Sequence, residues 1–573
     1  MFQINQLTNI HGFSKGLEVD DDRQVGSEKC HVINSHHPFP APVLASSKRD
    51  HDHDHCDDGS DFNDLFQFDM GLIQPLTHQA SLCDDDDQNP DDENPGVQRE
   101  RPYSASLHIL RSYKSRLRKL NVHKVQLPGG YPEKEDFTGF TICNNDNGSQ
   151  KLSTNCILRL AAENFIECST KGDTESSAIN HPYASAFAGL CQEDAKAVQL
   201  VQFLLASAEK VGRKQFGRAS KLLIECDKGS SDQGSTIERL VYYYSGALQE
   251  RIDRETGTFS PRGLGNKQCK DMLETMGGPS PDIMAMQNNV PFGQIFQFAG
   301  IQAVLDHVGD ATKIHVVDLE IRTGMHWTIL MQALATKVTN PVEYVKITAV
   351  GTKSRANLEA TRDRLASFAR SLNLKFYFNI VMVDQIMDLN ESLFEVKPDE
   401  AVAVWADFFL MFMIGRQDVL ESLMNVVRAL KPKIMVVTEV EGNNNSPVFV
   451  TRFIESLFHY GGFFDCLEDC LKHDPTNRYY VEYVYFSQAI RSIVATEGAE
   501  RTIRHVAVHV WRSFFARFGF VQAELSSSSM YQANLVLENF ACGKSCTLDM
   551  DGKCLIVGWK GTPIYSLSAW RIR

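Results

Sequence analysis

Apolar and polar positions alternate most sharply at Lys313–Leu334, KIHVVDLEIRTGMHWTILMQAL, where a β-branched run ends in an acid, crosses a short polar turn and continues as an amphipathic stretch. Ile314–Val317 suit a strand buried on both faces, as parallel sheets require. Trp327, Leu330, Met331 and Leu334 recur at spacings of three and four, so one face of the following helix packs back on that strand. The alternation then repeats. Tyr344–Val350, Phe376–Val383, Ala401–Trp405 and Ile434–Thr438 read as further strands, with helical faces at Leu358, Thr361, Leu365 and Phe368 and again over Leu420–Leu430. Strands alternating with helices of this length imply right-handed βαβ crossovers and a mostly parallel sheet. Beyond Gly519 the pattern changes: Phe520–Ala523, Cys554–Trp559 and Ile564–Trp570 read as strands separated by turns, an antiparallel addition on one sheet edge.

Upstream, from about Asn155, the period is helical. Leu200, Phe203, Leu204, Ala208 and Val211 share one face, and Phe216, Ala219, Leu222, Leu223 and Cys226 mark a second helix. Ser235 with Glu238 forms a capping box for a third, which carries Leu240, Val241, Tyr244, Ala247 and Leu248. Gln294–Val308 adds a helix directly before the first strand. The expected fold is therefore α/β, Rossmann-like and methyltransferase-like, with a mostly parallel sheet in a core of about 311–573 and an α-helical cap of about 155–310. Residues 1–150 show no sustained period and run through acidic, His-rich and Pro/Asn patches, so they form a disordered N-terminal tail. One island in that tail, Asp61–Leu72, interleaves Phe62, Leu65, Phe66 and Phe68 with acids, the composition of an amphipathic activation segment that a partner groove takes as a short helix.

Charge divides the chain at the same place. Residues 1–100 hold 21 acidic and 6 basic side chains, a balance of -15, against -14 for the whole chain, and the other 473 residues carry 51 acids and 52 bases. The folded part is thus nearly neutral and offers no basic recognition helix, which argues against direct DNA reading. Arg111, Lys114, Arg116, Arg118, Lys119 and Lys124 follow the acidic tail and fit either a nuclear import signal or a solvated helix face. Fourteen scattered cysteines without a CxxC pair read as reduced thiols of an intracellular protein. The N-terminus lacks the apolar core of a signal peptide and no run of 18 apolar residues occurs, so no membrane association is expected.

Candidate chemistry centres on Asp318, at the carboxyl end of the first strand, where open α/β sheets place their crevice. A sheet of this kind resembles class I methyltransferases, and an S-adenosylmethionine-dependent transferase is the enzymatic alternative. Such a site needs glycines after the first strand and an acid after the second. The first turn has only Gly324, with Ile321, Arg322 and Met325 across the cofactor path, and the second strand is followed by Gly351-Thr-Lys-Ser-Arg without an acid. No cofactor and no catalytic residue are therefore assigned. Lys353 and Arg355 precede a helix and could hold an anion, and His315 could act as a base but suits a structural position. Neither His51, His53, His55 and Cys56 nor Cys466, Cys470 and His473 supply a complete ligand set, so no metal is assigned. Trp511 with Gly519, then Trp559 and Trp570, lie in the terminal elements as core pins.

Taken together these residues resemble the GRAS family of plant transcriptional regulators over about Leu200–Arg573. His315, Val316, Val317 and Asp318, after Ile314, resemble its VHIID core. Leu200–Val211 and Leu358–Leu372 resemble its two leucine-rich regions; Pro432, Glu497 and Arg501 anchor a PFYRE-like region; Trp559 and Ser568-Ala569-Trp570 resemble SAW. The turn Thr323-Gly-Met-His-Trp-Thr328 departs from the family's Gln-Gly-x-Gln-Trp-Pro, and the tail carries neither a DELLA nor a TVHYNP segment. The resemblance implies a non-catalytic nuclear regulator that pairs with other GRAS proteins and with DNA-binding factors such as zinc-finger proteins. The cap helices Leu200–Leu248 are the expected dimer contacts.

Overall fold

The computed structural model describes residues 143–144, 150–170, 190–258, 280–338 and 340–573. The aromatic island, the histidine tract and the basic cluster of the N-terminal segment lie outside the described residues.

After a short antiparallel pair, Cys143–Asn144 with Gln150–Lys151, come four helices: α1 (Thr154–Thr170), α2 (Gln192–Gly212), α3 (Phe216–Gly229) and α4 (Thr236–Thr256). Val198, Val201, Leu204, Leu205, Ala208 and Val211 of α2 recur at three and four residues and are all buried. At the start of α4 the Glu238 N–H donates to the Ser235 hydroxyl at 3.4 Å and the Ser235 N–H donates to the Glu238 carboxylate at 2.7 Å, which satisfies two orphan donors at once. Next come α5 (Pro281–Asn289) and α6 (Pro291–Val308), each opened by a proline whose missing N–H costs nothing in a first turn.

The sheet is built from β1 (Lys313–Asp318), β2 (Tyr344–Gly351), β3 (Phe376–Met382), β4 (Ala401–Asp407), β5 (Ile434–Val440), β6 (Phe520–Ala523), β7 (Cys546–Asp551), β8 (Cys554–Trp559) and β9 (Thr562–Ile572). Its order is β3-β2-β1-β4-β5-β9-β8-β7, with β6 also on β9. The pairs among β1 to β5 are parallel. By contrast β9 runs antiparallel to β5, β8 and β6, and β8 to β7. This is the expected α/β sheet with its antiparallel edge. Because every second side chain changes face, Val316 and Ile347 join one core with the cap helices, while Val317, Val404 and Val437 join a second core on the far face.

Helices α7 (Met325–Ala335), α8 (Arg355–Ser371) and α9 (Gln417–Ala429) connect the parallel strands. The apolar period does not predict α10 (Phe449–Cys470), since its buried residues surround the helix instead of forming a stripe. It packs between α1, α2 and α4 on one side and β8 and β9 on the other. After it come α11 (Pro475–Val481), α12 (Ser487–Val494), α13 (Val508–Arg517) and α14 (Ser527–Asn539), of which α12 also packs on α4. Strand order reverses at β1, whose neighbours are β2 and β4, so the crevice of the fold lies beyond the carboxyl ends of β1 and β4.

Candidate functional site

At those carboxyl ends the structure leaves a cavity of about 230 Å³. Asp318, the last residue of β1, does not face it as a free carboxylate. Buried, it accepts the indole N–H of Trp327 at 2.7 Å and the Glu320 N–H at 3.1 Å, and it lies 3.3 Å from His326 Nε2. Its task is to fix α7 against β1. The turn that follows brings Glu320, Ile321, Arg322, Thr323 and His326 to the cavity wall, and β4, one residue longer than its apolar run, brings Asp407. The Arg322 guanidinium reaches Asp407 at 3.4 Å and the Phe408 carbonyl at 3.2 Å, with its Nε lacking a partner among the described residues. Both Arg322 and Phe408 hold φ at +48°, a left-handed conformation costly for side chains of this size and found where a site fixes its geometry.

Acids outnumber bases here. Burial pushes the Glu320 carboxyl up to about 7, with Asp318 and Asp407 adding to the effect against Arg322, and burial raises Asp407 as well. Behind them Glu439 is buried and pushed up to about 8, although it accepts the Leu410 N–H at 2.8 Å. A nucleoside cofactor does not fit this arrangement. The cavity is smaller than the roughly 300–1,000 Å³ of pockets that take such ligands. Gly324, at φ +64°, serves the turn itself, and a Cβ there would meet Thr361 Cγ2 at 2.9 Å. The expectation that Ile321, Arg322 and Met325 fill the crevice needs correction: the first two line the wall, Met325 is not part of it, and a void remains.

The motif residues are mostly scaffold. Burial and the nearby Lys346 lower His315 to about 4, and its ring lies 3.0 Å from Glu400 and 2.8 Å from Thr348, so it is a neutral pin between β1, β2 and β4 and not a base. Pro432 is buried just before β5. Glu497 accepts from Arg251 at 2.8 Å and from Arg452, tying α4 to α10, and Arg501 donates to Asn445 at 3.0 Å. Trp511 and Trp570 both pack on Phe515 in the far core, and Gly519, at φ +80°, turns the chain from α13 into β6. The Trp559 indole donates to Asp465 of α10 at 2.8 Å, and Thr154 of α1 donates to the same carboxylate at 2.7 Å. Lys353 and Arg355 are exposed, but Ser354 already caps α8 and Arg355 pairs with Glu359 at 3.1 Å. Cys466 and Cys470 stand 3.8 Å apart, while His473 lies exposed past the end of α10. Among the described residues no group of three or more His, Cys, Asp or Glu side chains forms a metal site.

Sequence reasoning stopped β4 at Trp405 and so missed Asp407. It passed over Glu320, and it missed the aromatic wall of the cavity, Tyr460, Phe463, Phe486 and Tyr565, because the first two sit on the unpredicted α10. Acids at the carboxyl ends of two strands that flank a switch point were the available signal.

Residues 200–571 match the GRAS domain family. The chain is similar to DELLA protein 1 of Medicago truncatula, 30% identical over 392 residues, which are 65% of this chain and 63% of the relative. It is also similar to the DELLA protein GAI of Arabidopsis thaliana, 29% identical over 435 residues, 75% of this chain and 76% of that one. Among solved structures, SCL7 of Oryza sativa superposes with a TM-score of 0.57 at 28% identity, over 65% of this chain and 99% of the rice chain.

Proposed function

The chain belongs to the GRAS domain family, and from that premise we propose that it is a transcriptional co-regulator, acting in the nucleus through contacts with other GRAS proteins and with DNA-binding factors such as zinc-finger proteins. It reaches DNA through them, in keeping with the near-neutral charge of residues 101–573. The N-terminal segment, with Phe62, Leu65, Phe66 and Phe68, supplies the activation or docking element. None of the described helices is long and apolar enough to cross a membrane.

One observation carries the reading of the folded part as a surface for proteins. The apolar stripes of α2, α3 and α4 pack into their own core, where Leu204, Ala208, Leu223, Leu240 and Leu248 are all buried, which favours other faces of the cap for a partner. The large apolar side chain that α4 leaves outside is Tyr242, 37% exposed, which belongs to one tyrosine cluster with Tyr479, Tyr480 and Tyr483 from the α11 segment. Tyr480 is 49% exposed, and the Tyr479 and Tyr483 rings stack at 5.6 Å. Tyrosine supplies large contact area at little entropic cost and is enriched in interface centres. Sedimentation of the full chain, alone and mixed with rice SCL7, tests this together with a reporter driven by the chain tethered to a DNA-binding module. The double substitution Tyr242→Ser and Tyr480→Ser should weaken association at least tenfold without moving the unfolding midpoint. A silent reporter, or assembly indifferent to both tyrosines, would remove the reading.

A further inference from the structure

The cavity beyond β1 and β4 brings together two features that favour the same kind of guest. Glu320 and Asp407 line it, and Arg322 is the one Lys or Arg among its described lining residues. Asp318, buried close behind, adds to the negative field at Glu320. Buried carboxylates in excess of their counter-charges are costly unless something cationic joins them. One stretch of the wall is aromatic and continuous: Phe408 packs on Tyr565 at 4.7 Å, Tyr565 on Phe463 at 5.2 Å, and Phe463 on Phe486 at 4.9 Å. The faces of such rings attract cations, more strongly where water is excluded. His505, also on the wall and 2% exposed, lies 3.1 Å from the Tyr460 hydroxyl through Nε2, and its Nδ1 has no hydrogen-bond partner among the described residues. The cavity of about 230 Å³ has room for a small organic molecule.

We propose that this cavity binds a small organic amine, with its ammonium group held by Glu320 and Asp407 and its hydrocarbon body lying against Phe408, Phe463 and Tyr565. The site is a feature of the α/β core and stands or falls apart from the protein contacts of the helical cap. It takes an alkyl or arylalkyl ammonium and discriminates against carboxylates of the same shape, because an anion would meet like charge in a space that screens little.

Titration calorimetry on the full chain with phenethylamine, 2-phenylethanol and 3-phenylpropionate tests this, since the three probes share a body and differ in charge. Saturable binding of phenethylamine is expected, at least tenfold tighter than 2-phenylethanol, with no heat from 3-phenylpropionate. Glu320→Gln and Asp407→Asn should each remove the preference for the amine while leaving the alcohol's affinity unchanged. Ala489→Phe, which fills the cavity from its wall, should abolish binding of both. Failure of phenethylamine to bind up to its solubility limit would overturn the proposal. So would equal binding of all three probes, or a preference for the amine that survives both acid substitutions. If Ala489→Phe does not fold, the two acid variants still decide the question.

Discussion

Glu439 gives the sharpest test of the electrostatics at the switch point. It is 2% exposed, accepts the Leu410 N–H at 2.8 Å, and burial pushes its carboxyl up to about 8 from the ordinary 4.5. Between those two values the unfolded chain has released a proton that the folded chain keeps. The folded state therefore loses stability as pH rises, at ~1.4 kcal/mol per pH unit. The benefit is fully present below pH 4.5 and gone above pH 8, with roughly 3 kcal/mol of it lost between pH 5 and 7. Glu439→Gln keeps the shape and the acceptor oxygen but cannot titrate. Equilibrium urea unfolding at pH 5, 6, 7 and 8, followed through the buried tryptophans, would compare the two chains. Glu320, Glu441 and Glu482, each raised to about 7, titrate alike in both and cancel in the difference. The variant should gain on the natural chain by roughly 3 kcal/mol from pH 5 to 7. Parallel curves, or a variant that falls behind as pH rises, would refute the account of a buried, protonated acid.

Two further outcomes follow from the scaffold. Trp559→Phe keeps the ring in place but takes the indole donor from Asp465, and should cost about 2 kcal/mol of unfolding free energy, read from the urea midpoint. Gly519→Ala should cost about 1–2 kcal/mol through the left-handed backbone alone, because nothing lies within 4 Å of the added methyl, and Gly519→Asn should recover part of it.

The parallel half of the sheet was legible because its strands are short apolar runs bounded by turn residues, and β1, β2 and β4 are each followed by a striped helix. Ile314–Val317 and Ala401–Trp405 show that period directly. The second half was legible only where strands are apolar throughout, as in Cys554–Trp559. Cys546–Asp551 was not, since it alternates with acids and leaves half of its residues to solvent. Helix α10 lacked a stripe for the opposite reason: enclosed by the cap and by β8 and β9, it has no polar face to reveal a period. The cavity was hidden by both effects, because Tyr460 and Phe463 come from α10 and Asp407 sits past the apolar part of its strand.

The placement of the residues that resemble VHIID and SAW separates what a family signature encodes from what a family member does. Val316 and Val317 face the two cores, His315 and Asp318 are consumed by hydrogen bonds inside the sheet, and Trp559 and Trp570 are buried. Substituting any of them removes packing or leaves a buried polar group unpaired, so these positions constrain stability before they constrain any partner. The proposed recognition is accordingly sought in residues the signature leaves free. The exposed tyrosines of α4 and the α11 segment and the acids of the cavity wall meet that condition, and none of them is an anchor residue of a motif. Two chains can then share every motif residue and differ in both partner and ligand. Exchanging Tyr242 and Tyr480 for the residues of a relative should transfer association preference without changing the unfolding midpoint, whereas exchanging Trp559 or Asp318 should change the midpoint alone.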